Sequence, residues 1–319
     1  MADDLLLALD FGGTKLSAAI AARGERAWRG LERFHSPRDK DARYEYDAML
    51  ALARRLLGDH VPAAIGVSFG GPVDAARGRV ILSHHVPGWE DMPLRERLQA
   101  ALGAPVSVDN DANVAALGEY RFGAGQGCAS LLYITVSTGV GGGWVLGGKI
   151  FNGADAMSGE IGHTIVDLQG PPCVCGRRGC VEVMACGPAI VRNARERMAA
   201  NSSLETQLRE LGGTDGSALT AEQVARAANA GDELSQQVMD DAARALGFGI
   251  GTAITLLNPE RVVVGGGVSK SGERWLSAVR ASARANTLPQ MRVEIVTAAL
   301  GDDAPLWGAI ALAEAAGDA

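Results

Sequence analysis

One pattern occurs twice in this 319-residue chain. A short apolar run, Leu5 to Leu9, reads as a buried strand and ends in the turn Asp10-Phe11-Gly12-Gly13-Thr14-Lys15. A second strand (Leu16 to Ala22), a turn at Gly24 and a third strand within Arg26 to Phe34 follow. The second half repeats that order. Ser130 to Val136 is a strand, Ser137-Thr138-Gly139-Val140-Gly141-Gly142 a glycine turn, Trp144 to Leu146 a strand, Gly147-Gly148 a turn and Lys149 to Phe151 a strand. Repetition of one supersecondary unit limits the possible folds more than any single motif does. It predicts two lobes facing each other across a cleft.

Between and after the copies, helical and strand periods alternate. Tyr46, Met49, Leu50, Ala53 and Leu57 mark a helix over 42–57, strands are expected at 63–69, 80–82 and 106–108, and helices at 93–102 and 112–120. Alternation of this kind indicates an α/β sheet with sites at strand ends. A smaller N-terminal lobe of residues 1–115 with 301–319 and a larger C-terminal lobe of 116–300 are expected. In a long helix from Leu234 to Leu257, Gly247, Gly249 and Gly251 each cost roughly 1 kcal/mol of helix propensity. Such clustering predicts a backbone packed very close to a neighbour.

The segment from Gly159 to Glu182 holds one histidine, three cysteines and two glutamates among glycines and prolines. His163, Cys173, Cys175 and Cys180 are the number and type of ligands for a closed tetrahedral zinc site within 163–180. Cys173 and Cys175 are too close for a relaxed mutual disulfide. A zinc ion with all four positions filled by protein is a brace, so chemistry is expected from the uncoordinated Glu160 and Glu182. Five cysteines, three of them in this knuckle, suit a reducing cytoplasm. A net charge of -7 opposes nucleic-acid binding, and no apolar run is long enough to cross a membrane.

Glycine after a strand lets backbone amides approach phosphate oxygens. Gly143 to Lys149 nearly spells a P-loop, but Ile150 stands where Ser or Thr should hold magnesium, and a strand follows where a helix should. Gly265-Gly266-Gly267 lacks the dinucleotide-binding spacing. A P-loop ATPase and a Rossmann dehydrogenase are therefore disfavoured. Asp111 sits where a strand meets a helix, either as a simple cap or as an aimed carboxylate; Asp109 reads as a cap or a support.

Taken together, DFGGTK, VDNDANVAA, STGVGGGWVLGGKIFNGADAMSGEIGH and CVCGRRGCVE resemble the ROK (repressor, open reading frame, kinase) family of sugar kinases, and the likeness covers essentially the whole chain. The resemblance implies a two-lobed actin-like ATPase fold of duplicated, ribonuclease H-like α/β domains, with ATP and magnesium as cofactors beside the structural zinc. It implies that Gly12, Gly13, Thr14 and Lys15 form a first phosphate loop, with Asp10 near magnesium. Thr138 and Gly139 belong to the second loop, and Gly265, Gly266 and Gly267 line the adenosine pocket. Asn110 and Asp111 match the sugar-binding pair, Asp111 being the base, while Glu160, His163 and Glu182 match residues that bind sugar hydroxyls and Gly71 lies in a loop covering the sugar. The implied activity is that of a hexose kinase, glucose first, with N-acetylmannosamine, N-acetylglucosamine or fructose as alternatives, in a homodimer or homotetramer. Repressors of the family carry an N-terminal helix-turn-helix, for which the first strand at Leu5 leaves no room, and a silent sensor should lack the base or a loop. One departure stands out: Ser83-His84-His85-Val86 occupies the place where many members carry Asn-Leu near the sugar.

Overall fold

The computed structural model describes residues 4–317 apart from Thr14, Arg38, His84, Ser202, Leu204 and Thr214. Thr14 and His84 thus lie outside the described residues. The chain divides into two compact units: residues 1–133, 143–159 and 298–319 form one, residues 134–142 and 160–297 the other. The expected break after residue 115 falls inside the helix Asp111–Phe122, and the first unit takes the larger share of the chain. That helix stays with the first unit because its backbone meets the last helix directly: a Cβ on Gly118 would stand 2.4 Å from the Ala304 carbonyl oxygen.

β1 (Leu5–Phe11), β2 (Lys15–Ala22) and β3 (Gly30–His35) form an antiparallel meander, the third strand starting later than expected. After α1 (Ala42–Leu57) comes β4 (Ala64–Phe69), parallel to β1. A two-stranded ribbon, β5 (Val73–Asp74) with β6 (Arg79–Val80), replaces the single strand expected at 80–82. α2 (Leu94–Leu102) then leads to β7 (Val106–Asn110), parallel to β4, and the sheet order is β3-β2-β1-β4-β7. Every residue of β1 is buried, and its two faces feed different cores, as a side-chain period of two requires. Leu5, Leu7, Leu9 and Phe11 pack with Tyr46, Met49 and Ala53 of α1, whereas Leu6 and Ala8 pack with Leu306, Ala309 and Ile310.

α3 (Asp111–Phe122) precedes β8 (Ser130–Val136), β9 (Val140–Leu146) and β10 (Lys149–Ile150). β9 begins inside the expected glycine turn, which shortens to residues 137–139. Gly143 is a strand residue, and a Cβ there would lie 2.7 Å from the Ala112 carbonyl oxygen. In the second unit, α4 (Val181–Ala185), α5 (Gly187–Ala200), α6 (Leu208–Gly212) and α7 (Ala221–Asn229) follow the cysteine segment. The segment Thr220 to Gln223 forms a capping box at the start of α7, the Thr220 side chain accepting from the Gln223 N–H. α8 (Glu233–Leu257), β11 (Arg261–Gly265), α9 (Glu273–Ala285) and β12 (Glu294–Thr297) complete that unit, and the second sheet has the order β10-β9-β8-β11-β12. The α8 glycines meet close neighbours as anticipated. Cβ atoms on Gly247 and Gly251 would stand 2.6 and 3.0 Å from carbonyl oxygens of α9, and one on Gly249 would strike Val181. α10 (Ala304–Gly317) returns to the first sheet. No described helix is long and apolar enough to cross a membrane.

Candidate active site

Because β1, β4 and β7 run parallel, their carboxyl ends gather on one edge of the first sheet. The register sets Asp10 beside Ser68 and Ser68 beside Asp109. Ser68 Oγ donates to Asp10 Oδ1 at 2.8 Å. Burial pushes the Asp10 carboxyl up to about 7; Ser68 opposes that rise, the neighbouring Asp111 adds to it, and Lys15 and Arg33 oppose it.

Asn110 is the cap of α3: its Oδ1 accepts from the Ala112 N–H at 3.0 Å, while its Nδ2 donates to the Gly71 carbonyl at 3.0 Å. The capping role thus falls to Asn110, and Asp111 begins the helix. Asp111 Oδ1 accepts from the Ala112 N–H at 2.8 Å. Burial raises the Asp111 carboxyl to about 6, against the Ala112 N–H, Asn110 and the charge of His85, so it is mostly ionised at neutral pH and basic enough to take a proton. Asp109 is a support. It accepts from the Asn110 N–H at 2.7 Å, Asn113 Nδ2 at 3.0 Å and Asn152 Nδ2 at 3.1 Å, which uses both of its oxygens.

The glycine turn after β1 reaches the same edge. A Cβ on Gly70 would lie 3.1 Å from the Phe11 carbonyl oxygen, 3.5 Å from the Gly13 nitrogen and 3.7 Å from Asp111 Oδ2. Gly70 thus packs between the turn and the carboxylate, and its lack of a side chain lets the two approach. A Cβ on Gly71 would lie 2.6 Å from the Leu82 carbonyl oxygen, so bulk is excluded there too.

In the second unit, the turn between β8 and β9 closes through the Ser137 N–H donating to the Gly139 carbonyl at 2.9 Å. Val140 joins this turn to the GEIGH segment. Its N–H donates to Glu182 Oε2 at 3.0 Å, and a Cβ on Gly162 would stand 2.0 Å from its carbonyl oxygen. Glu160 is exposed at the start of the short turn Ile161–His163.

His163, Cys173, Cys175 and Cys180 present one ligand atom each, all within 4.8 Å of one another. The Cys173 Sγ to His163 Nδ1 and Cys175 Sγ to Cys180 Sγ separations are both 3.6 Å. Tetrahedral zinc–thiolate bonds of about 2.3 Å set neighbouring ligands roughly 3.8 Å apart, so the donor set fits a divalent cation. The hydrogen bond from Arg177 holds the Cys175 thiol down to about 6, while burial and then its neighbouring thiols push Cys180 up to about 12. Crowded thiols of this kind ionise together only around a cation.

A cavity of about 1000 Å³ opens in the second unit, lined in part by Thr138, Gly187, Arg226, Gly267 and Lys270. Of the three glycines expected there, only Gly267 lines it. Gly265 ends β11, and Gly266, at φ +84°, lies against the Val136 backbone.

The sequence pattern of the ROK family matches residues 6–316. The chain belongs to the ROK family. It is 38% identical to the glucokinase of Halalkalibacterium halodurans over 97% of this chain and 94% of that one. It is 34% identical to the N-acetylmannosamine kinase of Shigella flexneri over 97% and 98%. A crystal structure of the ROK glucokinase of Streptomyces griseus with glucose and AMPPNP aligns with TM-score 0.82 at 34% identity, covering 98% of this chain and 99% of that one. This ROK chain therefore has the actin-like ATPase fold.

Within the first unit the structure brings together Asp10, Gly12, Gly13, Asn110, Asp111 and Gly71. Within the second it joins Gly139, Glu182 and the metal ligands. Sequence reasoning missed two supporting residues, Ser68 behind Asp10 and Asn152 behind Asp109. Neither carries a local signal, since each acts across a large gap in the chain.

Proposed function

We propose that this ROK protein is a glucokinase, an ATP-dependent hexose kinase that transfers the γ-phosphate to the sugar 6-hydroxyl. The observation that carries this reading is the convergence of the Gly13 backbone nitrogen and Asp111 Oδ2 on Gly70 at the carboxyl edge of the first sheet. A hydroxyl held at that edge has a base at hand, and a phosphoryl group has the glycine turn beside it. Asp111 takes the hydroxyl proton as the oxygen attacks. Asn110 fixes the start of α3, so the carboxylate is aimed before substrate arrives.

Asp10 would hold magnesium. Its buried carboxyl, raised to about 7, stays ionised most readily beside a cation, and the ion would supply neutralisation of phosphate charge. The cavity bearing Thr138 and Gly267 is assigned to ATP, whose phosphates suit its Arg226 and Lys270. Gly12, Gly13, Lys15 and Gly139 would contact phosphates, Glu160 and Glu182 would accept hydrogen bonds from sugar hydroxyls, and His163, with one ring nitrogen given to the metal, would donate one from the other. A structural zinc ion would brace the loop that carries them. Ionisable knuckle thiols suit a reducing cytoplasm. A homodimer or homotetramer is the assembly the family resemblance suggests, and light scattering measures it.

A coupled ADP-release assay across glucose, mannose, fructose, N-acetylglucosamine and N-acetylmannosamine tests the reading. Glucose should give the highest kcat/KM. ADP release with none of the five would refute kinase function, and preference for an N-acetylhexosamine would reassign the substrate.

A further inference from the structure

His85 lies on the loop between β6 and α2, and its side chain is exposed while the segment that follows it is tied down. Val86 and Trp89 are buried, Trp89 Nε1 donates to the buried Glu45 at 3.1 Å, and the Pro87 carbonyl accepts from the Ala42 N–H at 2.9 Å. Ser83 Oγ accepts from the backbone N–H groups of His85 and Val86 at 3.3 and 3.2 Å. An anchored loop thus holds out one imidazole. The ring lies against the first glycine turn: a Cβ on Gly13 would come within 2.7 Å of His85 Cδ2 and 3.0 Å of Cγ. The charge of His85 also acts on Asp111. Gly13, Asp111 and His85 therefore surround one locus.

That locus is acidic, because the Asp111 carboxylate lies near enough to Asp10 to raise its proton affinity. A transferring phosphoryl group brings more negative charge into it, so donors on the side away from the carboxylates are needed. We propose that His85 is a phosphoryl-contact residue of the transfer reaction, its imidazole donating a hydrogen bond to the phosphate oxygens during transfer and in the sugar phosphate product. In that step the sugar oxygen bonds to phosphorus, the bond from phosphorus to the β-phosphate oxygen breaks with its electron pair leaving on ADP, and the hydroxyl proton passes to Asp111. His85 neither gains nor loses a proton. This assignment rests on the kinase reading and deepens it, and it gives the departure from Asn-Leu at Ser83–Val86 a function.

The test uses the full chain with His85→Ala and His85→Gln, each checked for an unchanged melting temperature. Wild-type turnover of glucose is measured first; its absence refutes the kinase reading and this assignment with it. With wild type active, His85→Ala should lower kcat about 10- to 100-fold, the loss of one charge-assisted hydrogen bond. Calorimetric titration should show glucose affinity changed less than about twofold and glucose 6-phosphate affinity weakened about fivefold or more, on the same reasoning. His85→Gln, which keeps an N–H donor, should recover part of both losses. A kcat within about twofold of wild type in His85→Ala would overturn the assignment while leaving the kinase reading intact. Equal weakening of glucose and glucose 6-phosphate would also overturn it, making His85 a sugar contact.

Discussion

Replacing Asp111 by Asn should make the protein more stable and nearly inactive. The amide keeps an acceptor for the Ala112 N–H that Asp111 Oδ1 now takes at 2.8 Å, so the helix start is preserved. What is removed is a charge that burial opposes. The carboxyl rises from the ordinary 3.8 to about 6 on folding, so the native state binds the proton more tightly than the unfolded chain does. For a raised carboxyl, stability is fully present below 3.8 and is lost as pH climbs through about 6. At roughly 1.4 kcal/mol per tenfold change in proton affinity, ionised Asp111 costs the fold about 3 kcal/mol at pH 8 and about half that at pH 5. Removing the repulsion with Asp10 acts in the same direction. Thermal melts without nucleotide or magnesium should show the variant ahead by roughly 5 °C at pH 8, with the gap narrowing at pH 5. Its kcat should fall about 100- to 10,000-fold, the usual worth of a general base. An Asn variant no more stable than wild type at pH 8, or a gap that widens on acidification, would refute the reasoning about burial. Retained turnover would remove Asp111 as the base.

Further expectations concern the scaffold. Cys175→Ser should reduce bound zinc from about one ion per chain towards none and lower activity, as read by elemental analysis with the coupled assay; full activity with undiminished zinc would count against the brace. Gly66→Ala should destabilise the first unit by about 3 kcal/mol or more, since a Cβ there would stand 1.7 Å from the Ala309 carbonyl oxygen; an unchanged urea midpoint would refute that close approach. Glu119→Gln should cost about 2 kcal/mol in urea denaturation. Its carboxylate accepts from the backbone N–H groups of Ala124, Ala299 and Leu300 at 2.8, 3.1 and 2.8 Å, and an amide would turn a donor towards one of them.

Whatever depended on local spacing could be read from the residues alone. The buried apolar run of β1, the capping box at Thr220 and the close-packed glycines of α8 are written in neighbouring positions, because backbone geometry fixes which side chains share a face. The ligand set His163, Cys173, Cys175 and Cys180 was equally legible, since metal chemistry admits few residue types at few spacings. Asp111 was found as a strand-end carboxylate, although its cap role went to Asn110. Other features needed the folded chain. Ser68 beneath Asp10, the bond from Val140 to Glu182, the division of the chain at residue 133 and the seat of His85 on Gly13 all join segments far apart in sequence. Their physical basis is register between strands and steric fit between backbones, and no local pattern encodes either. The chain's own order determined which groups are available for chemistry; only tertiary packing decided which of them stand close enough to act together.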